Sequence, residues 1–126
     1  MRSSIGEVIT IVLCVLLGAA GQILLKLGAS NPALAGSLGS GDWPGFVMRA
    51  LMTPKVVLGL ALYAGSTILW LVVLARTELS YAYPFISLGF LITTLFGWLA
   101  LGEAVSAYRL AGVALIISGV ILVARS

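Results

Sequence analysis

Gly18, Gln22 and Lys26 stand four residues apart, one small and polar stripe on an otherwise apolar stretch. On an apolar rod, such a stripe marks a face that can turn towards a cavity or a neighbouring helix. Two placements are open to Lys26. Its stem can carry the charge out to the membrane interface, or the ammonium can face inward, as intramembrane ions do towards cavities or partners. Alignment with Gln22 and Gly18 favours the inward placement. A second set, Gly59, Tyr63, Ser66 and Trp70, shares another helical face, and Tyr83, Ser87 and Thr94 share a third. Facing stripes of this kind can line a polar cavity, although any single Ser or Thr need do no more than bond two helices together. Glu103 either caps its turn or meets a cationic substrate group at the cavity mouth. Glu7, close to the chain start, reads as an interfacial charge.

Other chemistries are poorly supplied. The chain has no His and one Cys, Cys14, so the commonest general base and any thiolate cluster are missing. No phosphate-binding loop, zinc-protease motif or nucleophile elbow occurs, and no pair of intramembrane carboxylates. The expectation is a non-enzyme with no cofactor, no metal and no ATP site of its own.

Composition says what must hold these residues in place. Of 126 residues 61% are hydrophobic and 9% charged, the net charge is +3 and the mean hydropathy is +1.19. Soluble domains are about half apolar and about a quarter charged. A water-soluble globule, a disordered chain and a nucleic-acid partner are all excluded. Four apolar stretches, about 5–27, 56–75, 82–101 and 106–124, reach the ~20 residues a spanning helix needs. Backbone groups unpaired in hydrocarbon are too costly for anything but helix there, and the alternation of a barrel strand is absent. The expected fold is all-α, a single four-helix transmembrane domain covering 1–126. Gly18-Ala19-Ala20 looks like a leader cleavage site, but the apolar run continues to Leu27, so a retained first helix is expected.

Residues 28–54 form the one long connection. Gly36, Ser37, Gly39, Ser40 and Gly41 make its first half loop-like. In its second half Trp43, Phe46, Val47, Ala50 and Leu51 repeat on one helical face behind Asp42 and Pro44, which suit a cap and a first turn. A short interfacial helix over 43–52 follows, or else a loop packed on the bundle. Short links elsewhere force antiparallel neighbours. Arg2, Arg76 and Arg125 then lie on one side and Lys26, Arg49, Lys55 and Arg109 on the other, three against four. That balance gives no positive-inside bias and permits an antiparallel dimer. Gly18 and Gly21 would let a neighbouring helix approach closely, and Gly112 and Gly119, seven apart, return to nearly one face as a flat groove for another helix.

Taken together the residues resemble a known group. Four helices of this length, with Leu115-Ile116, Gly119-Val120 and the Gly112 spacing in the last, resemble the small multidrug resistance proteins of the drug/metabolite transporter superfamily. Those proteins carry a carboxylate eight residues before the first-helix Lys, where this chain has Gly18. A closer resemblance is to the small flippase subunits for aminoarabinose linked to undecaprenyl phosphate. It rests on Ala20-Gly21-Gln22 with Lys26, Leu69-Trp70-Leu71 with Val73-Leu74, Ala82-Tyr83-Pro84 with Ser87-Leu88 and Phe90, then Glu103 and Val105-Ser106. An Asn common after the Ser-Leu pair is Gly89 here.

The resemblance implies a multi-pass subunit of the bacterial inner membrane that moves a polyprenyl-phosphate-linked sugar, or a similar lipid-linked anion, between leaflets. Lys26 would pair with the phosphate, Gln22, Tyr83 and Ser87 would hydrogen-bond the headgroup, and Trp70 and Tyr63 would shape the walls. Its partners would be membrane lipid, the lipid-linked sugar and a second subunit, as a homo- or heterodimer. Two rival readings remain: a proton-coupled exporter of small cations, and a structural membrane subunit that transports nothing.

Overall fold

Apolar runs of twenty or more residues leave the backbone no economical arrangement in lipid but helix, and the computed structural model, which describes residues 5–126, shows the result. Among the described residues four helices are long and apolar enough to cross a membrane, and no strand occurs. Helix α1 spans Ile5–Ala29, 25 residues, about 37 Å at the ordinary rise. Two short helices follow, α2 at Pro32–Gly39 and α3 at Trp43–Met52. The second span is α4, Pro54–Arg76. The third is broken into α5 (Leu79–Ala82), a 3-10 turn (Tyr83–Ile86) and α6 (Ser87–Leu99). The last is α7, Ala107–Ala124, capped by the Ser106 hydroxyl, which accepts from the Arg109 amide at 3.2 Å.

The chain departs from its sequence pattern in two places. Residues 28–42 are not all loop. The Asn31 side chain accepts from the Ala33 amide at 3.0 Å and Pro32 fills the first turn, so α2 starts well despite its glycines. Leu34 and Ser37 are buried, and Arg49 of α3 donates to the Ser37 hydroxyl and to the Ala33 carbonyl. Packing against α3 thus overrides the weak helix propensity of Gly and Ser. Asp42 caps α3 by accepting from the Gly45 amide at 3.0 Å, and none of its residues is buried. The other departure is the third span, which is not one continuous helix over 82–101. Pro84 has no amide to complete an α-helical turn, and the chain tightens into the 3-10 turn around it.

Contacts fix the topology. Cys14 and Gly18 meet Ser66, Gly21 meets Gly59 and Gly28 meets Val56, so α1 and α4 are antiparallel. The Thr77 hydroxyl donates to a Glu7 carboxylate oxygen at 3.4 Å, which ties the N-terminal end of α1 to the C-terminal end of α4. Phe85 packs with Ile11, and Gly89 lies against Val15, so α6 runs parallel to α1. Arg76 and Arg125 share that end of the bundle; Arg2 lies outside the described residues. The main apolar core, Ile11, Val15, Val73, Ala82, Phe85 and Val120, also sits at this end. The bundle is therefore closed near its termini, and a cavity opens beyond the core towards the end that carries α2 and α3.

Candidate transport cavity

A cavity of about 720 Å³ lies between α1, α4, the 3-10 turn, α6 and the turn that follows α6. The α1 wall supplies Gly18, Gln22 and Lys26, the whole stripe picked out in the sequence. Helix α4 supplies Tyr63, Ser66, Thr67 and Trp70, and the third span supplies Tyr83 and, past its end, Glu103. Trp70 and Tyr83 meet edge to face, with ring centroids 6.3 Å apart. Both rings line the cavity, and Trp70 also packs against the apolar core. Gly18 leaves room beneath them: a Cβ there would stand 3.5 Å from the Ser66 hydroxyl, which itself donates to the Tyr63 carbonyl at 2.7 Å.

Lys26 is the cation of this wall. The other cations at the same end of the bundle are differently placed. Arg49 is tied to α2, and Arg109 donates to the Ala104 carbonyl at 3.1 Å. Lys55 does not line the cavity. Lys26 and Gln22 are both exposed to the cavity, and the ammonium makes no hydrogen bond or ion pair among the described residues. Its charge is available to a ligand.

Ser87 does not line the cavity, and neither does Thr94. The face that does is Tyr83, Ile86, Gly89, Phe90, Thr93, Phe96 and Gly97. The cause is the 3-10 turn. At 3.0 residues per turn, each of its four residues advances the helix about 20° further than an α-residue, roughly 80° in all. An α-helical wheel drawn through Tyr83 therefore selects the wrong side of α6. Thr93, missed for this reason, takes the place expected of Ser87. The signal was Pro84 inside an apolar run.

The glycines divide into two kinds. At Gly21 a Cβ would stand 2.9 Å from the Gly59 carbonyl oxygen, and at Gly59 it would stand 2.9 Å from that of Gly21. This reciprocal contact is the seam that closes α1 on α4. At Gly112 and Gly119 a Cβ would meet nothing within 4 Å. They do not pack inside the bundle.

Comparison with known proteins agrees with this architecture. The chain is 38% identical over 116 residues, 90% of its length, to a Salmonella typhimurium protein named a probable 4-amino-4-deoxy-L-arabinose-phosphoundecaprenol flippase subunit ArnE, and covers 93% of that protein. A Pseudomonas aeruginosa protein of the same name is 33% identical over 111 residues, covering 84% of this chain and 86% of the relative. The chain belongs to this family of small flippase subunits. A subunit named ArnF from Erwinia tasmaniensis matches a shorter stretch, 44% identical over 75 residues, 58% of this chain and 59% of its own. No family model and no solved structure matches. Membership in this flippase family and the four spanning helices make the chain a multi-pass membrane protein of a transporter family.

Proposed function

We propose that this subunit carries a phosphoundecaprenol-linked sugar between the leaflets of the bacterial inner membrane, as a carrier and not as a catalyst. A phosphate and a sugar cannot enter hydrocarbon without losing their hydrogen bonds. The cavity supplies replacements, and its volume falls in the range of about 300–1,000 Å³ typical of small-ligand sites. The polyprenyl tail stays in lipid while the headgroup sits between α1, α4 and α6. Lys26 pairs with the phosphate, Gln22 and Tyr83 hydrogen-bond the headgroup, and Tyr63 and Trp70 shape the walls. The single supporting observation is the unpaired Lys26 ammonium in the cavity wall. Proton-coupled cation export has less support, because position 18 of that wall is glycine.

The exposed apolar face of α3, with Trp43 65% exposed, lies in the headgroup layer. A second subunit, identical or related, packs on α7 through Gly112 and Gly119. Open space at both glycines supports this, as does the sparse burial of α7, whose buried residues are Val113 and Val120.

The experiment is lipid binding by purified protein, read by native mass spectrometry with a phosphoundecaprenol-linked sugar. Lys26→Met keeps length and removes charge, and should weaken binding by about 1.5–3 kcal/mol, the range for hydrogen bonds to charged groups. Lys26→Arg should keep much of it, since the charge remains although the planar fork fits differently. Wild-type affinity in Lys26→Met would return Lys26 to the interface and remove the phosphate role.

A further inference from the structure

We propose that Glu103 is the specificity-determining residue of the cavity, and that it selects headgroups bearing a cationic amine. This rests on the carrier reading above and adds to it which group is read, and by which residue.

Glu103 is held in place by its turn. Gly102 has φ +68°, a left-handed conformation that reverses the chain after α6. The Glu103 amide then donates to the Gly97 carbonyl at 2.9 Å. This folds the side chain back along α6, where its carboxylate lies over Gly97, and a Cβ at Gly97 would run into Oε1. Gly97 is buried, so the missing methyl is what admits the carboxylate to the cavity wall.

The carboxylate is exposed at the cavity wall and unpaired among the described residues. The carboxylate sits beside the C-terminal end of α6, where the helix dipole is negative. The nearest guanidinium in sequence, Arg109, turns to the Ala104 carbonyl instead. Among the described residues no donor hydrogen-bonds to the Glu103 carboxylate and no cation pairs with it. A cationic ligand group would make a charge-assisted contact with it.

The cavity is also bipolar at one end. Helices α1 and α6 are parallel, so Lys26 near the C-terminal end of α1 and Glu103 just past that of α6 lie towards the same mouth. An unpaired cation and an unpaired anion on different walls suit a headgroup that carries a phosphate and, elsewhere on its sugar, a protonated amine. The relatives above are named as probable flippase subunits for an amino sugar of that chemistry.

The test compares two probes on the full chain in detergent: a phosphoundecaprenol-linked amino sugar, and the same lipid N-acetylated, which keeps the phosphate and removes the positive charge. Wild type should prefer the amine. Glu103→Gln should erase about a tenfold preference and leave affinity for the acetylated lipid unchanged. Glu103→Asp, which keeps the charge on a shorter stem, should retain part of the preference. Lys26→Met should weaken both lipids equally. Full amine preference in Glu103→Gln would overturn the assignment and leave the carrier reading standing. Equal weakening of both lipids by Glu103→Gln would also overturn it, making Glu103 a support of the turn. Failure of wild type to bind either lipid would instead sink the carrier reading.

Discussion

Two pairs of glycines, on α1–α4 and on α7, show how one residue type does opposite work in a small membrane bundle. Gly21 and Gly59 bring two backbones so close that each carbonyl occupies the space of the other's missing methyl. Gly112 and Gly119 face open space. The first pair is satisfied within the subunit. The second makes a smooth strip on a helix that the subunit hardly buries. In lipid, where apolar surface gives no hydrophobic drive, close approach is what holds helices together. A strip suited to close approach and left empty within the subunit is where the proposed second subunit would pack on α7.

The largest expected effect breaks the seam. Gly21→Ala with Gly59→Ala places two methyls against backbone carbonyls that no side-chain rotation can move. Overpacking of this kind costs typically 1–3 kcal/mol, and two rigid clashes should reach about 3 kcal/mol. Denaturation of the purified protein in mixed micelles measures it. Wild-type stability in the double variant would mean that the seam is looser than the contact distances imply.

Enlarging the other pair should act elsewhere. Gly112→Leu with Gly119→Leu meets no neighbour in the subunit, so protomer stability should stay within about 0.5 kcal/mol of wild type. The loss should fall on assembly, as a marked drop in intersubunit cross-linking in membranes. A protomer destabilised as strongly as the seam variant would erase the distinction between the two pairs. An unchanged cross-link would move the interface off α7.

How far the sequence reveals this molecule depends on which physical rule governs each segment. The spans were legible because hydrocarbon permits so little else: α1, α4 and α7 lie within a few residues of their apolar runs. The stripe of Gly18, Gln22 and Lys26 was legible because α1 keeps a regular period over all 25 residues. The third span was misread where that regularity fails. Pro84 forces a 3-10 turn, the register rotates, and Ser87 gives way to Thr93. Helix α2 was hidden for another reason. Its glycines and serines suggest a loop, and beyond the Asn31 cap and Pro32 its support comes from Arg49, sixteen residues from Ala33 and twelve from Ser37. Local propensity does not contain a contact of that range. The place of Glu103 over Gly97 is likewise set by a turn geometry, the positive φ of Gly102, and not by a spacing.

The smallest expected effect sharpens the comparison most, because it repeats the seam's chemical change without a clash. Gly36 lies in the middle of α2, is exposed, and a Cβ there would meet nothing within 4 Å. Its φ is not in the left-handed region, so alanine fits the backbone without strain. Glycine in a helix loses more freedom on folding than alanine does, and the exchange should stabilise by about 0.4–1 kcal/mol. Gly36→Ala and Gly21→Ala thus add the same methyl to the same kind of backbone and should have opposite signs. Since the entropic gain is common to both, the difference between them reports the steric contact alone. Measuring both variants by the same micelle denaturation separates the two terms. Destabilisation by Gly36→Ala would show that α2 packs on something at that face, and the seam's cost could then no longer be assigned to the approach of α1 and α4.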